Sequence, residues 1–130
     1  SIREVVRSAT METNDYLVEM TFEPLAALPS AQDIARFIER MALPTFAACE
    51  KLAAAGRIVA GGTILAAGGF IFIARTKSPA ELEAMLASLP LWPRARTRVV
   101  PLGSFADRAE IVRRRLAGAR AAAAAPEAEP

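Results

Sequence analysis

The stretch LASLPLWPRARTRVVPLGS, residues 86–104, holds the end of one helix, a complete strand and the start of another helix. Leu86 and Leu89 close an apolar stripe that Pro90 cuts short, because proline has no N–H to offer a further helical turn. Beyond Trp92 and Pro93 the period changes. Over Ala95–Leu102 the side chains alternate, with Arg94, Arg96 and Arg98 on one face and Ala95, Thr97 and Val99 on the other, as a strand requires. Ser104, with Asp107 three positions on, reads as a helix cap whose hydroxyl takes up a free backbone N–H. That final helix is expected to end near Leu116, within 105–117, and the Ala/Pro-rich remainder, 118–130, to be a disordered tail.

Moving outward toward the N-terminus, Ser78-Pro79-Ala80-Glu81 is a sharper helix start still: serine at the cap, proline at the first helical position, glutamate at the third. Leu82, Met85, Leu86 and Leu89 supply its apolar stripe. Before it, Arg57–Leu65 and Phe70–Arg75 read as two strands joined through Gly68-Gly69. The uncharged interval from Ile58 to Ala74 falls short of a comfortable helical membrane span, and its two glycine pairs favour a buried hairpin. Gly61-Gly62 and Gly68-Gly69 do not have a phosphate-binding spacing before a helix; they suggest a bulge or a close backbone approach.

A helix opens at Ser30, capped with Asp33, and carries Ile34, Phe37, Ile38 and Met41 at core-facing spacing. Pro44 predicts a kink, after which the helix resumes through Phe46, Cys49 and Leu52 and stops at Gly56. The first strand is Asp15–Phe22, with Tyr16, Val18, Met20 and Phe22 on one face and Leu17, Glu19 and Thr21 on the other. Residues 1–14 show little pattern and read as an N-terminal arm. The order is thus β-α-β-β-α-β plus a C-terminal helix: an α+β domain of ferredoxin-like kind over residues 15–104, two helices covering one face of a four-stranded antiparallel sheet. Leu17, Val59 or Ile58, Ile71 and Ile73 would lie on the other face. A second copy placed sheet to sheet would cover them, giving a homodimeric α/β barrel that can build into a larger ring.

Composition narrows the chemistry. The 130 residues are 53% hydrophobic and 23% charged, with a formal net charge of +2, too small to argue for nucleic acid. There is no histidine, so acid–base work falls to carboxylates, the one tyrosine, lysine or water, and His-ligated zinc and Ser–His or Cys–His nucleophiles are excluded. Cys49, the single cysteine, allows no internal disulfide and reads as a small buried hydrophobe. No metal-ligand constellation or nucleotide motif is present, so no cofactor is expected. Arg113-Arg114-Arg115, with Arg108 and Arg120, is offset by Asp107 and Glu110 and lacks interleaved aromatics; it reads as a solvated helix face, or an arm on a partner subunit, rather than a nucleic-acid surface. SIREVVRSAT has no signal-peptide core, and the expectation is a soluble cytoplasmic protein without membrane partners.

A helix ending in Leu89-Pro90-Leu91-Trp92-Pro93, followed by an alternating strand that closes Val99-Val100-Pro101-Leu102, resembles muconolactone isomerase and its small relatives. The strand opening YLVEM is similar too, and the likeness spans roughly residues 15–105. It implies a ferredoxin-like dimer, a pocket at the sheet and subunit junction, and isomerase chemistry. Where isomerising relatives carry a histidine and an arginine on the second strand, this chain has Ala60 and Thr63; where their first helix is charged, it has Pro44, Thr45 and Phe46. Glu19 stands where a basic residue is expected, and Arg96 and Arg98 where acids are. No functional residue of the family therefore carries over directly.

The residues themselves offer a site. Moving a double bond within a lactone needs one group to take a carbon-bound proton and return it at a neighbouring position, and a carboxylate partly desolvated by apolar walls suits this. Glu19, mid-strand on the mixed face, is the expected general base, with Glu23 at the strand's exit as the second carboxylate. Arg96, Arg98 or Arg75 would hold a substrate carboxylate by forked hydrogen bonds, and Trp92 would either anchor the core or stack on the ligand. The same pattern admits a structural reading, in which Glu19 and Arg96 or Arg98 form a cross-strand ion pair and Arg75 is a solvated strand end. Two other functions stay open: a non-catalytic ligand-binding or assembly module on the same barrel and, by fold analogy, a cofactor-free monooxygenase.

Overall fold

The computed structural model describes residues 13–65 and 68–126; the expected arm, apart from residues 13 and 14, lies outside them. The elements are β1 (Asn14–Thr21), α1 (Ala31–Phe37), α2 (Leu43–Ala54), β2 (Ile58–Thr63), β3 (Gly69–Thr76), α3 (Pro79–Ala87), β4 (Arg96–Leu102) and α4 (Phe105–Ala124). The strands form one antiparallel sheet in the order β2-β3-β1-β4, the ferredoxin-like arrangement the sequence predicted.

All three serine caps form. Ser30, Ser78 and Ser104 each accept a hydrogen bond from the backbone N–H three residues on, at 3.1, 3.1 and 3.0 Å. Glu81 then braces the loop before α3, accepting from the Lys77 N–H and from Arg57.

Pro44 acts one turn earlier than a simple kink. It has no N–H for the carbonyl of Arg40, and the chain responds with a π-helical turn, Ile38–Ala42, in which the Leu43 N–H reaches back to the Ile38 carbonyl. The helix continues through this widened turn, so α1 and α2 run on from one another.

The core lies between the helices and the even-numbered face of β1. Val18 and Met20 are fully buried there, joined by Phe70, Phe72 and Ala74 of β3 and by Phe37, Leu82, Met85, Leu86, Leu89 and Leu91. Thr45 is also fully buried, and its hydroxyl accepts the Leu91 N–H at 3.0 Å, tying α2 to the turn before β4. Thr45→Val keeps the volume but orphans that N–H; it is expected to lower stability by about 1–3 kcal/mol, read as a shift of the urea midpoint at unchanged slope.

Three expectations need correction. Arg94 is not on the last strand; it ends a 3-10 turn, Trp92–Arg94, and the strand begins at Arg96 because Pro93 favours the turn. Ile58 faces the helices and is buried, while a register shift leaves Val59 46% exposed, so the bulge removes Ile58 from the open face. The C-terminal helix runs to Ala124, past the expected end near Leu116, because the alanine run is the best helix former available and no proline intervenes before Pro126.

Candidate functional site

Among the described residues no helix lies over the odd-numbered face of β1. Register places Leu17 between Val100 and Ile73, and Glu19 between Arg98 and Ile71. Leu17, Ile71, Ile73 and Val100 are half-buried even in the isolated chain, so an apolar floor surrounds the Glu19 carboxylate. Arg98 approaches it to 3.9 Å, with 72% of the arginine side chain and 36% of the glutamate side chain exposed. The predicted cross-strand pair is therefore present and loosely held. Arg96 stands opposite Thr21, two residues further along the same face.

Arg75 is committed elsewhere. Its guanidinium forks onto Asp15, Nε to Oδ1 at 2.9 Å and Nη2 to Oδ2 at 3.0 Å. These hydrogen bonds hold the Asp15 carboxyl below its usual value of 3.8, against the smaller opposing effect of burial. A carboxylate whose value is lower in the folded state adds stability above its ordinary range and loses it as pH falls through that range. Asp15→Asn is thus expected to flatten the loss of stability on acidification below 3.8, followed by thermal melts across that pH range.

Glu23 and Trp92 lie apart from this face. Glu23 is exposed beyond the end of β1, beside Phe22 and Arg94. Trp92 is half-buried and packs against the core cluster, the anchoring role the sequence allowed.

A second hollow, of about 210 Å³, opens between α2 and the β2–β3 hairpin. Phe46, Ile58, Phe70, Phe72, Thr63 and Gly61 line it, with Glu50 as its one carboxylate among the described residues. Thr63 lies on this side of β2, opposite Phe70, whereas Ala60 pairs with Ile73 on the open face. Cys49 also lines the hollow, and burial pushes its thiol up, away from the thiolate a nucleophile needs.

A larger cleft, missed from the sequence, lies beside α1. Arg36, Arg40 and Arg94 line it together with Phe37, and the Arg94 guanidinium lies over the Phe37 ring. The spacing of Arg36 and Arg40 next to the core positions Phe37 and Met41 was the available signal; Arg94 comes from more than fifty residues away and gave none.

Among the described residues no group of three or more Cys, Asp or Glu could hold a metal ion, and no helix is long and apolar enough to cross a membrane. No curated protein matches the sequence. The family profile described as muconolactone delta-isomerase matches residues 15–108, from the first strand into the last helix. Because that match covers well over half of the sequence, the chain belongs to the muconolactone delta-isomerase family.

Proposed function

We propose that the protein is a cofactor-independent isomerase of a lactone or related cyclic unsaturated small molecule, working as a homodimer whose open sheet faces meet over the site. The observation that carries this reading is Glu19, a carboxylate in the middle of an apolar sheet face and directly opposite Arg98. Covering the face with a second copy would take Glu19 out of water and raise its affinity for a proton, as a general base requires. Glu19 would remove a proton from the ring carbon beside the double bond, leaving a delocalised enolate. Returning that proton at the other end of the enolate completes the shift, with no net gain or loss of atoms or electrons. Arg98 or Arg96 would hold the anionic group of the substrate; Arg75, tied to Asp15, is less available.

Family membership supports isomerase chemistry, and the uncovered apolar floor supports a homo-oligomer. The test is to incubate the purified protein with muconolactone and follow enol-lactone formation by absorbance. Conversion above background is expected, and none at high protein concentration would defeat the reading. Light scattering should give a dimer or a multiple of it; a monomer across the micromolar range would defeat the assembly.

A second reading, a non-catalytic small-molecule-binding module, is favoured by the apolar hollow under α2, where among the described residues Thr63 and three phenylalanines leave Glu50 as the single acid. Saturable binding of an uncharged ring compound without turnover would support it.

A further inference from the structure

We propose that the cleft beside α1 is a separate binding site for an amphiphilic carboxylate, an aromatic or alicyclic body ending in one carboxylate group. It lies on the helix side of the sheet, away from Glu19, and the inference does not rest on the isomerase reading.

The cleft has a volume of about 370 Å³, within the range of small-molecule sites. Its floor is apolar: Phe37, Met41 and Leu28, with Phe22 tilted against Phe37 at 6.2 Å between ring centroids. Its walls are cationic. The Arg94 guanidinium sits 5.8 Å from the centre of the Phe37 ring, where the ring's π-face steadies it. Arg36 and Arg40 follow one another along α1 and the π-helical turn, and that wide turn supplies Arg40 to the wall and Met41 to the floor.

Three guanidiniums around one hollow repel one another, and an anion between them relieves that repulsion. Among the described residues none of the three is in an ion pair. Asp33, the one acid lining this cleft among the described residues, already accepts the Ser30 hydroxyl at 2.8 Å. A guanidinium pairs with a carboxylate through two parallel hydrogen bonds, and the aromatic floor gives the rest of such a ligand a surface to cover. An inorganic anion would use the arginines and waste the floor; a neutral ring compound would do the reverse. The combination selects a molecule with both parts. A neighbouring groove shares Leu28, Phe37 and Arg94 and adds Phe22 and Glu23, giving the apolar body room to extend.

The test is calorimetric titration of the full chain with 4-phenylbutyrate, 4-phenylbutanol and inorganic phosphate. The expected result is saturable one-to-one binding of the carboxylate, with the alcohol and phosphate each at least about tenfold weaker. Arg36→Gln and Arg40→Gln should each weaken binding of the carboxylate by about tenfold, while Arg113→Gln, on α4, should leave it unchanged. Circular dichroism would verify that the variants stay folded. Absence of saturable binding, equal binding of the alcohol, or equal loss in Arg113→Gln would overturn the proposal. Loss in Arg98→Gln but not in the Arg36 and Arg40 variants would also overturn it, by moving the carboxylate to the open sheet face.

Discussion

Gly61→Ala is expected to destabilise the folded chain by about 3–5 kcal/mol, combining backbone strain with forced overpacking. Gly61 has φ +147°, a conformation that residues with a Cβ rarely adopt. A Cβ there would sit 2.4 Å from the Ile71 carbonyl oxygen and 2.6 Å from the Phe72 Cα, both backbone atoms of β3. They cannot yield cheaply, because β3 is paired on both sides and its other neighbour is β1. Against a total stability of roughly 5–15 kcal/mol for a domain of this kind, such a loss removes much of the margin. Gly62→Ala is the internal control: a Cβ at Gly62 meets nothing within 4 Å, and its backbone is unstrained. Urea unfolding should give a large drop in midpoint for Gly61→Ala and little change for Gly62→Ala. Similar midpoints for the two variants would mean that β2 does not approach β3 as described.

The second large effect concerns turnover. On the proposed mechanism, Glu19→Gln keeps the shape of the side chain and removes its ability to take a proton, so the rate should fall about 10²–10⁴-fold. Stability should barely move. In the isolated chain the Glu19–Arg98 pair is long and its arginine largely exposed, and pairs of that kind are worth about 0–1 kcal/mol. The expected signature is lost conversion of muconolactone with an unchanged melting curve and unchanged assembly. Full activity in Glu19→Gln would defeat the assignment of Glu19 as the base.

Much of this architecture could be read locally. Serine caps, alternating faces and glycine-bounded strands are short-range effects, and Ser30, Ser78 and Ser104 each do what their neighbours three residues on imply. Side-chain parity set Glu19 off the apolar face of β1 and grouped Arg96 with Arg98 on one face of β4, either of which could pair with it. Register makes the choice, setting Arg98 opposite Glu19 and Arg96 opposite Thr21. What escaped depends on competition or distance. Pro44 signalled a break, but local pattern does not distinguish a kink from the π-helical turn that forms over Ile38–Ala42. Alanine-rich sequence reads as low complexity, yet the same residues are the strongest helix formers, and they extended α4 to Ala124. The arginine cleft needs Arg94 brought to Arg36 and Arg40 by the tertiary fold, and no local pattern encodes that meeting.

The last helix obeys a different thermodynamics from the rest of the molecule. Not one residue of α4 is buried, and Phe105, at its start, is 97% exposed. The burial that makes the sheet and its helices unfold together is missing there, so in the isolated chain α4 is a helix–coil system in its own right. Its order depends on its length, on the Ser104 cap and on alanine propensity, and it frays gradually with heat. The sheet melts cooperatively. A helical signal from the whole chain therefore superposes two processes, and amide exchange along α4 runs on its own clock, one that slows only when another surface is laid against Phe105, Val112 and Leu116.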